Sequence, residues 1–135
     1  MTTVEGVIGE KAFADCTSLE TIEAPGFKKI HAEAFKGCGS LKTLSLPGIY
    51  SISDKAFLNC AELAYVSLPA WSAMNNTAFN GCNKLISINL GVSSTTSIFN
   101  TKATLETIIM SKATTVNANA FKGLTNLKSI SFPSV

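Results

Sequence analysis

The dipeptide Ala-Phe recurs at Ala12-Phe13, Ala34-Phe35, Ala56-Phe57 and Ala78-Phe79, always 22 residues apart, and returns at Ala120-Phe121. This fixed period constrains the fold more than any other property of the chain. One such unit is too small to bury its own apolar face, so only stacked copies can enclose a core. The remaining apolar positions keep the same register. Cys stands three residues after the first four Phe, at Cys16, Cys38, Cys60 and Cys82. Leu follows three later, at Leu19, Leu41, Leu63 and Leu85, continued by Leu105 and Leu127. An aliphatic residue comes next, at Ile22, Leu44, Val66, Ile88, Ile108 and Ile130, and a further apolar one at Ala24, Leu46, Leu68, Leu90, Met110 and Phe132. Pro closes four copies, at Pro25, Pro47, Pro69 and Pro133.

The step from Leu85 to Leu105 is 20 residues, so one copy is two residues short. Ile98-Phe99 takes the Ala-Phe place there and Lys102 the Cys place, while Leu124 takes the Cys place in the last copy. The period predicts about six turns in a single domain over residues 1–135, beginning near Ala12, Ala34, Ala56, Ala78, Ile98 and Ala120. The segment L-x-x-I-x-L ends in alternating apolar positions, which predicts a short strand, and stacked strands make a parallel sheet. Pro, lacking an N–H, suits the point where pairing ends. Phe, Cys and Leu three apart predict one tight helical or 3-10 turn on the opposite side. A further column, Ile8, Ile30, Ile52, Met74 and Val116, stands four residues before each Ala and is read as a second narrow strand. Six turns at roughly 4.8 Å each give a body on the order of 30 Å long.

The L-x-x-I-x-L core resembles the leucine-rich repeat. The fuller pattern I-x-x-x-A-F-x-x-C-x-x-L-x-x-I-x-L-P, clearest over residues 30–47 and 52–69, resembles the BspA-like subfamily of surface proteins in anaerobic bacteria and parasitic protozoa. The resemblance implies an α/β-class, right-handed leucine-rich-repeat solenoid with a parallel sheet on one face and short helical or 3-10 turns on the other. It also implies a non-catalytic protein-binding or adhesion module of a cell-surface or secreted protein, with a host or matrix protein among the conceivable partners. That family brings no catalytic motif. The sequence departs from its pattern in the fifth turn, where Lys102 replaces Cys and Ser94 replaces the aliphatic residue.

Composition narrows the classes. At 46% hydrophobic and 15% charged residues the chain is too apolar for disorder. No apolar run is long enough for a membrane helix. Residues 1–11 carry two acidic groups and do not read as a secretory signal, so a signal for an exported parent would lie outside this chain. All 11 basic residues besides His31 are Lys, and the absence of Arg argues against nucleic acid. Residues 1–62 hold six Lys against eight acids, and residues 63–135 five Lys against Glu106. The resulting field is mild.

Four Cys suggest a metal or disulfide site, but in a stack they spread over three turns, roughly 14 Å, too far to share one zinc. Stacked side chains run parallel, so Cys16, Cys38, Cys60 and Cys82 are read as a buried column of reduced thiols. The register likewise places the Phe column in the core. His31 falls at a surface position away from the Cys column, which leaves no Cys-His pair. Paired carboxylates, phosphate loops and metalloprotease motifs are absent from the sequence. No catalytic residue, cofactor or metal is therefore expected.

The informative surface is the exposed face of the sheet. Alternation turns Thr43, Tyr65, Ser67, Ser87, Asn89 and Thr107 outward. Two readings stay open. Hydroxyls solubilise a sheet and suit strands, or they form a hydrogen-bonding platform anchored by Tyr65. Trp71 aligns with Phe27 and Ile49, two residues after Pro, which favours core packing. Residues 91–102 are irregular and Ser/Thr-rich, read either as a binding loop or as repeat decay. Neither end carries a polar cap, so a fragment of a longer array and end-to-end self-association are both open. Three functions are compatible: a module binding a protein through the sheet face, a structural spacer in a larger surface protein, and a carbohydrate-binding module using Tyr65.

Overall fold

The structure, a computed structural model, describes residues 5–72, 77–93 and 103–133. It contains eight short strands: β1 (Gly6–Ile8), β2 (Phe27–Ile30), β3 (Thr43–Ser45), β4 (Ser51–Ile52), β5 (Tyr65–Leu68), β6 (Ser87–Leu90), β7 (Thr107–Met110) and β8 (Ser129–Ser131). One parallel sheet runs β3-β5-β6-β7-β8, one strand per coil. Its register pairs Leu44 with Val66, Val66 with Ile88, Ile88 with Ile108 and Ile108 with Ile130. The aliphatic column of the sequence is therefore a physical column. The two-residue deficit before Leu105 is absorbed outside the sheet, since Leu90 still opposes Met110.

A second, three-stranded sheet runs β1-β2-β4, pairing Ile8 with Ile30 and Ile30 with Ile52. These three side chains are buried, as the second narrow strand requires. Val116 does not join them. It is 53% exposed and lies in no strand, a correction to its place in that column. Met74, Ser94, Ile98, Phe99 and Lys102, and with them most of the irregular stretch, lie outside the described residues.

The Ala-Phe side is not helical, which corrects the expectation of a helical or 3-10 turn. Among the described residues the chain there makes hydrogen-bonded turns and no helix. Left-handed residues explain this, two in each of four coils and Gly81 in the coil of Ala78-Phe79. Lys11, Glu33, Lys55 and Asn119 precede Ala at φ between 55° and 59°, and Asp15, Gly37, Asn59, Gly81 and Gly123 follow it at φ between 60° and 85°. A helix cannot propagate through that conformation. The freed backbone groups bond between coils instead. Phe13 N–H donates to Ala34 O (2.8 Å), Phe35 to Ala56 (2.8 Å) and Phe57 to Ala78 (2.9 Å), with Asp15 to Lys36 and Asn59 to Asn80 alongside. The turns thus form a third ladder in the same stack, and no buried backbone polarity need go unmatched there.

Side chains repeat at the rise of the coils. The rings of Phe13, Phe35, Phe57 and Phe79 stack with centroids 5.2, 5.3 and 5.4 Å apart and planes within 7° of parallel. Each buried thiol donates to the Phe carbonyl one coil earlier: Cys38 to Phe13 (3.2 Å), Cys60 to Phe35 (3.2 Å) and Cys82 to Phe57 (3.1 Å). A Cys in this column is therefore both a small core residue and a donor. The thiols are free, and Cys38, Cys60 and Cys82 are buried. Cys16 is exposed, which corrects its place in the buried column, and Phe13 is likewise 43% exposed. Both lie in the first coil, where a ring or thiol has a stacked neighbour on one side. Trp71 is fully buried and meets Phe79 edge-on at 5.7 Å, as core packing predicts, and Ile49 is likewise fully buried in the same core. Phe27, in the same column, is 37% exposed.

Candidate functional site

The five-stranded sheet carries a shallow concavity of about 650 Å³ where the chain enters its strands. Its lining has an apolar floor of half-buried Ala64 and Ile86 and a charged rim of Lys42, Glu62, Lys84 and Glu106, with Tyr65 projecting beside them. Backbone bonding fixes these side chains. Lys42 O accepts from Ala64 N–H (2.9 Å) and Tyr65 N–H (3.3 Å), Ala64 O from Ile86 and Ser87, Ile86 O from Glu106 and Thr107, and Glu106 O from Lys128 and Ser129. Each carbonyl holds two donors of the next coil. Lys42, Ala64, Ile86, Glu106 and Lys128 therefore stand in one line along the stack, at roughly 4.8 Å per coil.

A parallel line, one coil step apart and two residues earlier in sequence, carries Ser40, Glu62, Lys84, Thr104 and Asn126. Three of these anchor to the preceding coil: Ser40 Oγ donates to Thr17 O (2.6 Å), Thr104 Oγ1 to Leu85 O (2.6 Å) and Asn126 Nδ2 to Ala103 O (2.9 Å). The two charged members pair with each other, Lys84 Nζ lying 2.7 Å from Glu62 Oε1. Lys128 Nζ similarly lies 3.1 Å from Glu106 Oε2. The hydrogen bond and charge of Lys84, with a smaller contribution from Lys42, hold the Glu62 carboxyl below its ordinary range. The rim glutamates are thus already neutralised by lysines of adjacent coils.

Of the outward positions selected in the sequence, Thr43 and Tyr65 line the concavity. Tyr65 projects most, at 52% exposure. Ser67, Ser87, Asn89 and Thr107 continue the same face as half-buried neighbours outside the concavity, with Ser67 paired to Asn89 and Ser87 to Thr107 in register. The Oδ1 of Asn89 is buried without a hydrogen-bond partner. The alternation rule missed Lys42, Glu62, Ala64, Lys84, Ile86 and Glu106, because it considers residues within a strand and these precede the strands. The signal available was the repeat itself, in which the position after each Leu reads Glu20, Lys42, Ala64, Ile86, Glu106, Lys128. His31 is exposed, as its register predicts. Among the described residues no group of three or more His, Cys, Asp and Glu could hold a metal ion, and no helix is long and apolar enough to cross a membrane.

A stack of parallel coils with a rigid, open sheet flank is the architecture of a repeat scaffold that presents surface rather than enclosing a reaction. The family model for the BspA type leucine-rich repeat region matches the chain in six copies, over residues 6–109 and 95–135. The chain belongs to that family. No curated protein matches it. Leucine-rich repeats generally mediate protein interactions, proteins of this type are typically surface or secreted, and the solenoid is typically a non-catalytic scaffold.

Proposed function

We propose that the chain is a protein-binding, adhesion-type module of a cell-surface or secreted protein, and that it takes its partner on the sheet flank centred on Tyr65. One observation carries this reading: a half-exposed Tyr stands in an apolar-floored concavity whose backbone is fixed by paired hydrogen bonds from coil to coil. A solubilised sheet needs no exposed aromatic group there. Tyr supplies a large contact area at small conformational cost and is enriched at binding hot spots. A preformed backbone lowers the ordering cost of association. Thr43, Ser67, Ser87, Asn89 and Thr107 extend the contact with hydrogen-bonding groups.

Panning a random peptide display library on the immobilised chain tests the reading. Selected peptides should lose binding to a variant carrying Tyr65→Ala with Thr43→Ala. Peptides that bind this variant and the parent equally would place the site elsewhere, and a chain that selects no peptide would fit a structural spacer.

A further inference from the structure

We propose that the concavity recognises an extended partner segment in which a carboxylate side chain stands two residues from a bulky apolar one, the carboxylate on Lys42 and the apolar group over Tyr65, Ala64 and Ile86. This inference rests on the binding reading above and names the partner chemistry for the same site.

Charge gives the first half. Glu62 is paired with Lys84 and Glu106 with Lys128, so each rim carboxylate has its cation. Lys42 is in no ion pair among the described residues. Glu20 precedes it by one coil in the same column and is exposed, yet does not pair with it. Outside these two ion pairs, the charge left at the rim is the ammonium of Lys42, which acts only weakly on Glu62 and stands beside an apolar floor. A carboxylate arriving there meets an exposed cation beside apolar side chains and can accept a charge-assisted hydrogen bond from it. A cationic group would meet glutamates already neutralised, and repulsion from Lys42.

Spacing gives the second half. Ala64 stands one coil beyond Lys42 and Ile86 two coils beyond, so the apolar floor begins about 5 Å from Lys42 and ends about 10 Å away. In an extended segment, side chains two residues apart lie on one side and about 7 Å from each other. A segment running along the stack can thus set an acid on Lys42 and an apolar group on the floor together. Tyr65 flanks that line and offers a ring for the apolar group to pack against.

The experiment uses peptides selected on the parent chain, remade as acetylated amides and titrated by fluorescence anisotropy. The expected sequences carry Asp or Glu two positions from Leu, Phe or Trp. Changing that acid to its amide should weaken binding to the parent about three- to fivefold, as expected for a pair with an exposed Lys. The same change should have little effect on a Lys42→Met variant, while Lys42→Arg should keep the preference. Lys42 is exposed, so circular dichroism of Lys42→Met should match the parent. Peptides that need Tyr65 but show no acid preference would overturn this inference and leave the binding reading standing. Peptides that do not need Tyr65, or no peptides at all, would overturn both.

Discussion

Phe57→Ala is the sharpest probe of the stack. Phe57 is fully buried, and its ring lies between those of Phe35 (5.3 Å) and Phe79 (5.4 Å), nearly parallel to both. Truncating a buried Phe costs about 3–5 kcal/mol, depending on how far the surroundings collapse. Here collapse is blocked. Phe35 N–H is bonded to Ala56 O (2.8 Å) and Phe57 N–H to Ala78 O (2.9 Å), so the coils cannot close on the void without breaking a ladder. Two ring contacts are also lost, each contributing some tenths to about 1.5 kcal/mol. The expected cost is therefore at the upper end, about 4–5 kcal/mol. Phe13→Ala is the internal control, because Phe13 is 43% exposed and stacks on one ring only. It should cost about 1–2 kcal/mol. Urea unfolding followed by circular dichroism reads the difference. With a slope near 2 kcal/mol/M, Phe57→Ala should lower the midpoint by about 2 M and Phe13→Ala by less than about 1 M. Equal shifts for the two variants would refute the continuous stack.

Three further outcomes follow from other contacts. Burial, with Cys16 and Asp15 nearby, pushes the Cys38 thiol above its ordinary value of 9.0, and the adjacent Cys82 thiol and burial push Cys60 up further. Raised acids stay protonated in the folded chain while the unfolded chain ionises. Their stabilisation is complete below about pH 9 and falls as pH rises above it, at about 1.4 kcal/mol per pH unit per thiol. Alkaline denaturation curves should flatten in Cys38→Ala with Cys60→Ala; unchanged curves would contradict the buried thiols. Gly91 stands in the Pro column, where an added Cβ would fall on the Pro69 carbonyl oxygen. Gly91→Ala should therefore cost about 1–3 kcal/mol by overpacking, whereas Gly9→Ala, which meets nothing within 4 Å, should leave the melting temperature nearly unchanged. Glu62 should titrate below an ordinary glutamate by NMR, and should return towards it in Lys84→Met or in high salt, since the pair is exposed and screened. A titration indifferent to both changes would remove Lys84 as the cause.

Period and residue type alone determined the stacking. A 22-residue repeat cannot satisfy its apolar positions except by superposing them, so the columns of Phe57, Cys60, Leu63 and Val66, and the sheet register that follows from Val66, were fixed before any coordinates. Tyr65 and Thr43 were legible for the same reason, because alternation within a strand has only two directions. The tertiary structure decided what depends on neighbours in the third dimension. The left-handed residues before Ala-Phe, such as Glu33 and Lys55, carry no local signal, because only the ladder to the next coil favours that backbone there, whereas those after it, such as Gly37 and Asn59, are of types that adopt it readily. Cys16 shares the residue type and register of Cys38, and differs only in lying in an end coil. That Lys42 stands outside the ion pairs appears only when side chains from different coils are seen to pair, because a sequence shows which ions are present and the fold shows which of them are already paired.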